Sequence, residues 1–315
     1  MLTFAVARPT PTHHRFAFGG VAFKIEAEAD VSWQLSPEFA RFAPALSVDA
    51  WPRDQGTWAG RVACSVFLDP ALQGDASYEI DEERNGDRSR LTAAELRAEL
   101  RAVSPGNYSA MAHVAPRVHA ARPQGPDAVV LALSVAILER EGGLSLHAAA
   151  VELDGHAVLF LGPSGAGKST AARLTSGSRV FAFDRVSLAR TAHPSRTGYA
   201  AYSLPGGDAV DVPRSSQRQL PLAAIFRVRQ AREQARVARL TPAQAVFAVR
   251  ESIWLSDMSP EAEEARFDAA ARLVAQVPVA EIHTVLGQSH TELVRQVAWP
   301  SPAKSGAKDA CHGSV

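Results

Sequence analysis

Cysteine and lysine are scarce in this chain, and neither sign of charge is in excess. Two cysteines, Cys64 and Cys311, stand among 315 residues, and Cys311 lies in a polar tail. One pair spanning most of the chain is a poor disulfide framework, so a reducing compartment and a cytoplasmic location are expected. Lys and Arg together number 33, as do Asp and Glu, for a formal net charge of zero. That balance supplies no basic field for nucleic acid and no acidic field for cationic partners. No stretch approaches the ~20 apolar residues that cross a bilayer. Residues Met1 to Ala7 lack the basic start and apolar run of a signal peptide. No nucleic acid and no membrane are therefore expected as partners. Lysine is the most informative shortage, because only Lys24, Lys168, Lys304 and Lys308 occur. A lysine inside a glycine-rich loop is then no by-product of a lysine-rich chain.

What is present fits a globular protein: 46% hydrophobic residues provide for a core, in a chain long enough for one large or two ordinary domains. Residues 1–115 read as a small β-rich domain of irregular pattern. Phe16–Phe18 and Val21–Ile25 form a hairpin about Gly19-Gly20. Trp58 to Phe67 and Tyr78 to Ile80 read as strands, and Glu82 to Arg88 as a charged turn. Thr92 to Val103 reads as a short helix, capped by Thr92 with Glu95 three residues on and stopped by Pro105-Gly106. Residues 116–126 are a linker marked by Pro116, Pro123, Gly125 and Pro126. Residues 127–300 make the second domain, and 301–315 a disordered tail. The second domain opens on an apolar helix from Asp127 to Glu139. Two strand-like runs, His147–Val151 and His156–Leu161, follow and are joined at Asp154-Gly155. Further strands are expected at Arg179–Phe183, Leu222–Val228 and Val279–Val285. Helices are expected at Thr170–Leu174, from Thr241-Pro242 to about Leu255, at Pro260–Gln276 and at His290–Val297.

The chemistry is carried by Gly162-Pro163-Ser164-Gly165-Ala166-Gly167-Lys168-Ser169-Thr170, which satisfies G-x-x-x-x-G-K-[ST] between a strand and a helix. Glycines at 162, 165 and 167 let the backbone approach an anion closely. Successive N–H groups then form an anion-binding nest. Lys168 brings a compact charge to the terminal phosphates, and the Ser169 hydroxyl is a hard oxygen ligand for Mg²⁺. The pattern predicts a site for ATP with Mg²⁺. An acidic residue at the end of a neighbouring strand is expected to hold metal or take a proton, and Asp184 ends Arg179–Phe183. Its other reading is a turn aspartate, and His147 taken alone reads as a packed or surface histidine.

Leu146–Val151, Gly155–Thr170 and Asp184–Leu188, taken in that order, resemble the catalytic domain of HPr kinase/phosphorylase, above all its short HPr-kinase-like relatives. The resemblance covers roughly residues 144 to 286. It implies a core similar to phosphoenolpyruvate carboxykinase: a P-loop α/β fold (α+β overall with the β-rich domain) on a mixed sheet. It implies that His147 is an active-site histidine, Lys168 the phosphate lysine, Ser169 the magnesium ligand and Asp184 the proton acceptor. The activity implied is an ATP-dependent serine kinase acting on a serine-bearing protein or peptide, with a homo-oligomer as the assembly. Two departures stand out. Phe183 replaces the first of the family's two adjacent aspartates; either an apolar neighbour there raises the proton affinity of Asp184 and makes it a better base, or a metal or substrate contact is gone and activity is weak. The family's Glu-Ile-Arg-Gly-Leu-Gly-type segment is absent from residues 195 to 220, which argues against phosphorolysis and against HPr as substrate. Two rival readings stay open: a nucleotide-gated binding module without turnover, and a small-molecule kinase with an anion pocket from Arg185, Arg190 and Arg196.

Overall fold

Alternation of apolar and charged residues builds the first of two mixed sheets in this computed structural model, which describes residues 10–28, 31, 33–40, 43, 59–72, 80–115, 125–190, 198–205, 219–254 and 259–299. Its strands are β1 (Thr12–Phe18), β2 (Val21–Ala27), β3 (Gly60–Leu68), β4 (Asp81–Asn85), β5 (Arg88–Ala93), β6 (Leu96–Ser104) and β7 (Asn107–Val114), in the order β1-β2-β3-β7-β6-β5-β4. The contacts β2–β3 and β3–β7 are parallel and the others antiparallel. Gly19 and Gly20, both at positive φ, make the expected turn between β1 and β2. A four-residue helix, α1 (Pro37–Ala40), sets Phe39 in a stack on Phe18.

The helix expected at Thr92 to Val103 is a hairpin instead. Leu96, Ala98 and Leu100 point inward while Arg97, Glu99 and Arg101 face solvent, which is the period of a strand. Thr92 pairs with Arg97 across the β5–β6 turn, so the Thr92–Glu95 spacing that resembled a capping box is turn chemistry. Pro105-Gly106 turns β6 into β7 rather than ending a helix. The charged run from Glu82 to Arg88 is likewise mostly strand, with only Gly86-Asp87 forming the turn. Trp58, Tyr78 and the tail beyond Pro300 lie outside the described residues, as do 116–124 of the expected linker.

Glu95 itself is buried in this turn at 5% exposure. Desolvation, followed by the nearby charge of Asp127, pushes its carboxyl up to about 7. A raised carboxyl stabilises the fold fully below its unfolded value of 4.5, and that contribution is lost as pH rises through about 7. Urea unfolding of Glu95→Gln at about pH 4 and about pH 8.5 should therefore show a gain almost entirely at the higher pH, on the order of 2 kcal/mol relative to wild type. An equal effect at both pH values would show that Glu95 does not ionise there.

Helix α2 (Gly125–Arg140) is buried along nearly its whole length, and it includes Gly125 and Pro126, which the sequence assigns to the linker. Apolar all round, it packs between two partners. One is the inner face of the first sheet. The other is β12 (Arg185–Arg190) with β13 (Tyr199–Leu204), through Ala189, Ala200, Tyr202 and Leu204. Cys64 lies in the same core; its thiol is free, and burial pushes it up to about 12. No helix of the described residues is long and apolar enough to cross a membrane.

The second sheet adds β8 (Leu144–His147), β9 (Ala149–Leu153), β10 (His156–Leu161), β11 (Arg179–Ala182), β14 (Leu220–Gln230), β15 (Arg236–Arg239) and β16 (Val279–Thr284). Its path is β11-β9-β10-β14-β13-β12-β8, with β16 on β14 and β15 on β16. Only β10–β14 and β14–β16 are parallel. Helices α3 (Lys168–Leu174) and α6 (Thr291–Ala298) cover one face of β9, β10, β14 and β16. Helices α4 (Pro242–Arg250) and α5 (Pro260–Val274) pack on the opposite face. Thr241 and Gln244 cap α4 reciprocally, with Pro242 at its first position. The expected hairpin at Asp154-Gly155 joins β9 to β10, both turn residues having positive φ as a two-residue turn requires.

Candidate functional site

Two parallel neighbours, β10 and β14, end at the same edge of the second sheet, and the residues from Gly162 to Thr170 fill that edge. Gly162, Gly165 and Gly167 have φ of 147°, 77° and 95°, conformations that strain residues with a Cβ. Pro163, Ser164 and Gly165 are exposed, and a Cβ on Gly165 would meet nothing within 4 Å, so the loop is open outward. The strand at its back steadies it, because Gln230 Nε2 donates to the Gly165 carbonyl at 3.0 Å. Lys168 turns inward and is 8% exposed, donating to the carbonyls of Gly162 at 2.8 Å and Pro163 at 3.2 Å. Burial lowers its proton affinity, and the field of Asp184 opposes that shift. Ser169 and Thr170 are half-buried in the first turn of α3.

The carboxylate reaches the loop through one long antiparallel ladder. Residues 144–153 and 179–190 run alongside each other. A bulge between Val180 and Ala182 shifts the register, and the shifted register then holds from Ala182↔Ala150 through Arg185↔His147 to Leu188↔Leu144. Strand geometry lapses at Phe183 and Asp184, with Asp184 opposite Ala148. There the Asp184 carbonyl accepts from Ala148 N at 3.0 Å, and His147 N donates to the Ser252 carbonyl at 2.7 Å. Bulges of this kind re-aim side chains, and here His147 Nδ1 comes within 3.0 Å of Asp184 Oδ1. Arg185 Nε lies 3.6 Å from Asp184 Oδ2, and its guanidinium stacks over the Trp254 ring at 4.1 Å.

The hydrogen bond from His147 holds the Asp184 carboxyl below the usual carboxylate range, with Arg185 and Lys168 adding to it; burial acts the other way and is outweighed. The expectation that Phe183 raises the proton affinity of Asp184 is thus reversed. The Phe183 ring instead lies under the Arg173 guanidinium, 4.7 Å from its centroid.

The structure therefore brings together Lys168, Asp184 and His147 from three separate segments. It does not assemble the three-arginine pocket of the small-molecule reading. Arg185 and Arg190 sit at opposite ends of β12 and, five positions apart, on opposite faces, while Arg196 is outside the described residues. Among the described residues no group of three or more His, Cys, Asp or Glu could hold a metal ion. A metal would then rest on Ser169 and on ligand oxygens, which suits Mg²⁺, an ion commonly bound through few protein groups and substrate phosphates. Gln230 and Trp254 escaped the sequence reading. Position past the end of a parallel strand is the signal that points to Gln230, whereas Trp254 carries none.

One protein family, described as SynChlorMet cassette protein ScmC, matches residues 128–297, more than half of the chain. The chain belongs to the ScmC family. This overturns the assignment to HPr kinase/phosphorylase relatives. Glycine-rich loops of this pattern occur in many unrelated proteins, and the two departures, Phe183 and the missing segment after Asp184, already stood against that resemblance. Roles for His147 and Asp184 in this ScmC-family chain consequently rest on their geometry. No curated protein matches the chain.

Proposed function

We propose that this chain binds ATP with Mg²⁺ on the loop from Gly162 to Thr170, which makes its second sheet a P-loop core. It then transfers the γ-phosphoryl group to a hydroxyl, the serine of a protein or peptide being the acceptor class. The observation that carries this reading is the convergence of Lys168 with the His147–Asp184 pair at one sheet edge. Loop amides and Lys168 bind and orient the phosphates. Ser169 offers the metal an oxygen, and bound Mg²⁺ neutralises charge on the transferring group.

The acceptor proton goes to the pair. Asp184 is held ionised and so is a weak base, which leaves the proton to the imidazole it orients. With Nδ1 turned to Asp184, the Nε2 of His147 is left as acceptor, on a side chain 43% exposed. We therefore assign proton removal to His147 Nε2 and the positioning of His147 to Asp184. The family description places its members in a cassette, so the other products of that cassette are the first acceptors to try. Wild-type protein given labelled ATP, Mg²⁺ and a broad set of serine peptides should label at least one of them.

The depressed proton affinity of Asp184 also favours a second reading, a nucleotide-gated binding module without turnover. Tight ATP binding with no labelled acceptor would establish that module in place of the kinase.

A further inference from the structure

At the far end of β12, about 20 Å from Asp184 at the rise of a strand, three polar side chains converge that the proposed transfer does not use. Arg190 ends β12, and Tyr199, its cross-strand partner, begins β13. Arg272 stands in the last turn of α5. Arg190 Nη1 and Arg272 Nη2 each lie 3.9 Å from the point that a Cβ on Gly142 would occupy, so both guanidinium groups border the same turn between α2 and β8. Neither arginine has an ion pair or side-chain hydrogen bond among the described residues. Tyr199 is 1% exposed, and its hydroxyl oxygen is buried with no hydrogen-bond partner. Both arginines act on the Tyr199 hydroxyl electrostatically, which places it within reach of their charge. The carboxylates of the neighbouring turn are engaged elsewhere: Glu139 with Arg84 and Arg266, and Glu141 with Tyr108 and the Gly106 amide.

Two like charges side by side repel, weakly here because both arginines are exposed, and a buried hydroxyl without a partner costs more. One ligand removes both costs: an oxyanion with several acceptor oxygens, bridging two guanidinium groups and accepting from a phenol. We infer that Arg190, Arg272 and Tyr199 form a second, effector-type site for a phosphate-class oxyanion, separate from the loop at Gly162. The inference does not depend on phosphoryl transfer at that loop.

The test uses the full chain with Lys168→Ala, so that the loop does not compete, and inorganic phosphate as the probe. Phosphate should raise the Tm of that variant and broaden its own ³¹P signal, whereas chloride at equal ionic strength should do neither. Adding Arg190→Gln or Arg272→Gln should weaken phosphate binding tenfold or more. Adding Tyr199→Phe, which keeps the packing and removes the stranded hydroxyl, should raise the Tm without phosphate and weaken binding about threefold. ATP affinity in chains that retain Lys168 should be unchanged by Arg190→Gln. Equal stabilisation by chloride would mean charge screening and overturn the site. Phosphate binding that survives both arginine changes would place the anion elsewhere and overturn it too.

Discussion

Lys168→Ala is expected to weaken ATP·Mg²⁺ binding by at least tenfold, or ~1.4 kcal/mol. The Lys168 amine is held within the loop by the carbonyls of Gly162 and Pro163, and it is the only lysine in the described part of the second sheet and its helices. An arriving phosphate would replace two neutral acceptors with a charged one and offset the desolvation that lowers the proton affinity of the amine. The alanine variant loses those two hydrogen bonds, so its fold must be checked by circular dichroism before calorimetry. An unchanged affinity in a folded variant would remove the phosphate-cradle assignment and the function built on it.

The largest effect is expected at the pair beside the loop. Asp184→Asn should retain most nucleotide affinity yet lose phosphoryl transfer by roughly 10²-fold or more. His147→Gln should fall by a similar factor. The double variant should be little worse than either single one, because the two residues act as a unit. The pH profile decides which member takes the proton. Asp184 stays ionised to below the ordinary carboxylate range, so an Asp184 base would keep the rate level down to strongly acid pH. An acid limb that is present in the wild type and lost in His147→Gln, which keeps Asp184, identifies the imidazole as the base. The same depressed carboxyl stabilises the fold above its unfolded value, and that stability goes as pH falls through the lower folded value. Transfer rates below about pH 4 must therefore be read only where circular dichroism shows intact fold. If magnesium-dependent affinity falls together with rate in Asp184→Asn, the carboxylate holds metal instead.

Much of the second sheet was legible because its local signals agree with one another. Turn residues at Asp154-Gly155, an apolar strand, a glycine loop and a following helix are each visible in adjacent residues, and they recur in the structure in that order. Asp184 was placed by being the first acid after a strand. The first sheet was harder to read. Thr92, Glu95 and Pro105 mimic helix punctuation, and the alternation of Leu96, Ala98 and Leu100 was the signal that deserved more weight. Strand β13 went unseen because Tyr199–Leu204 is buried throughout, which leaves no alternation to read. The 3.0 Å approach of His147 to Asp184 depends on a register shift at Phe181, and Arg185 meets Trp254 across a gap of dozens of residues. Neither event leaves a trace in local sequence.

The position of α2 has a consequence for the order in which the chain can be made. The first sheet leaves the ribosome before α2 does, with Phe23, Val62, Leu91 and Leu100 still facing water on the side that α2 later covers. Once α2 emerges, it covers that face but presents its own opposite side, which waits for β12 and β13. Each half of the molecule therefore spends part of its synthesis with a bare apolar surface that only downstream residues close. Chains interrupted between those steps would associate with one another rather than persist as free half-molecules.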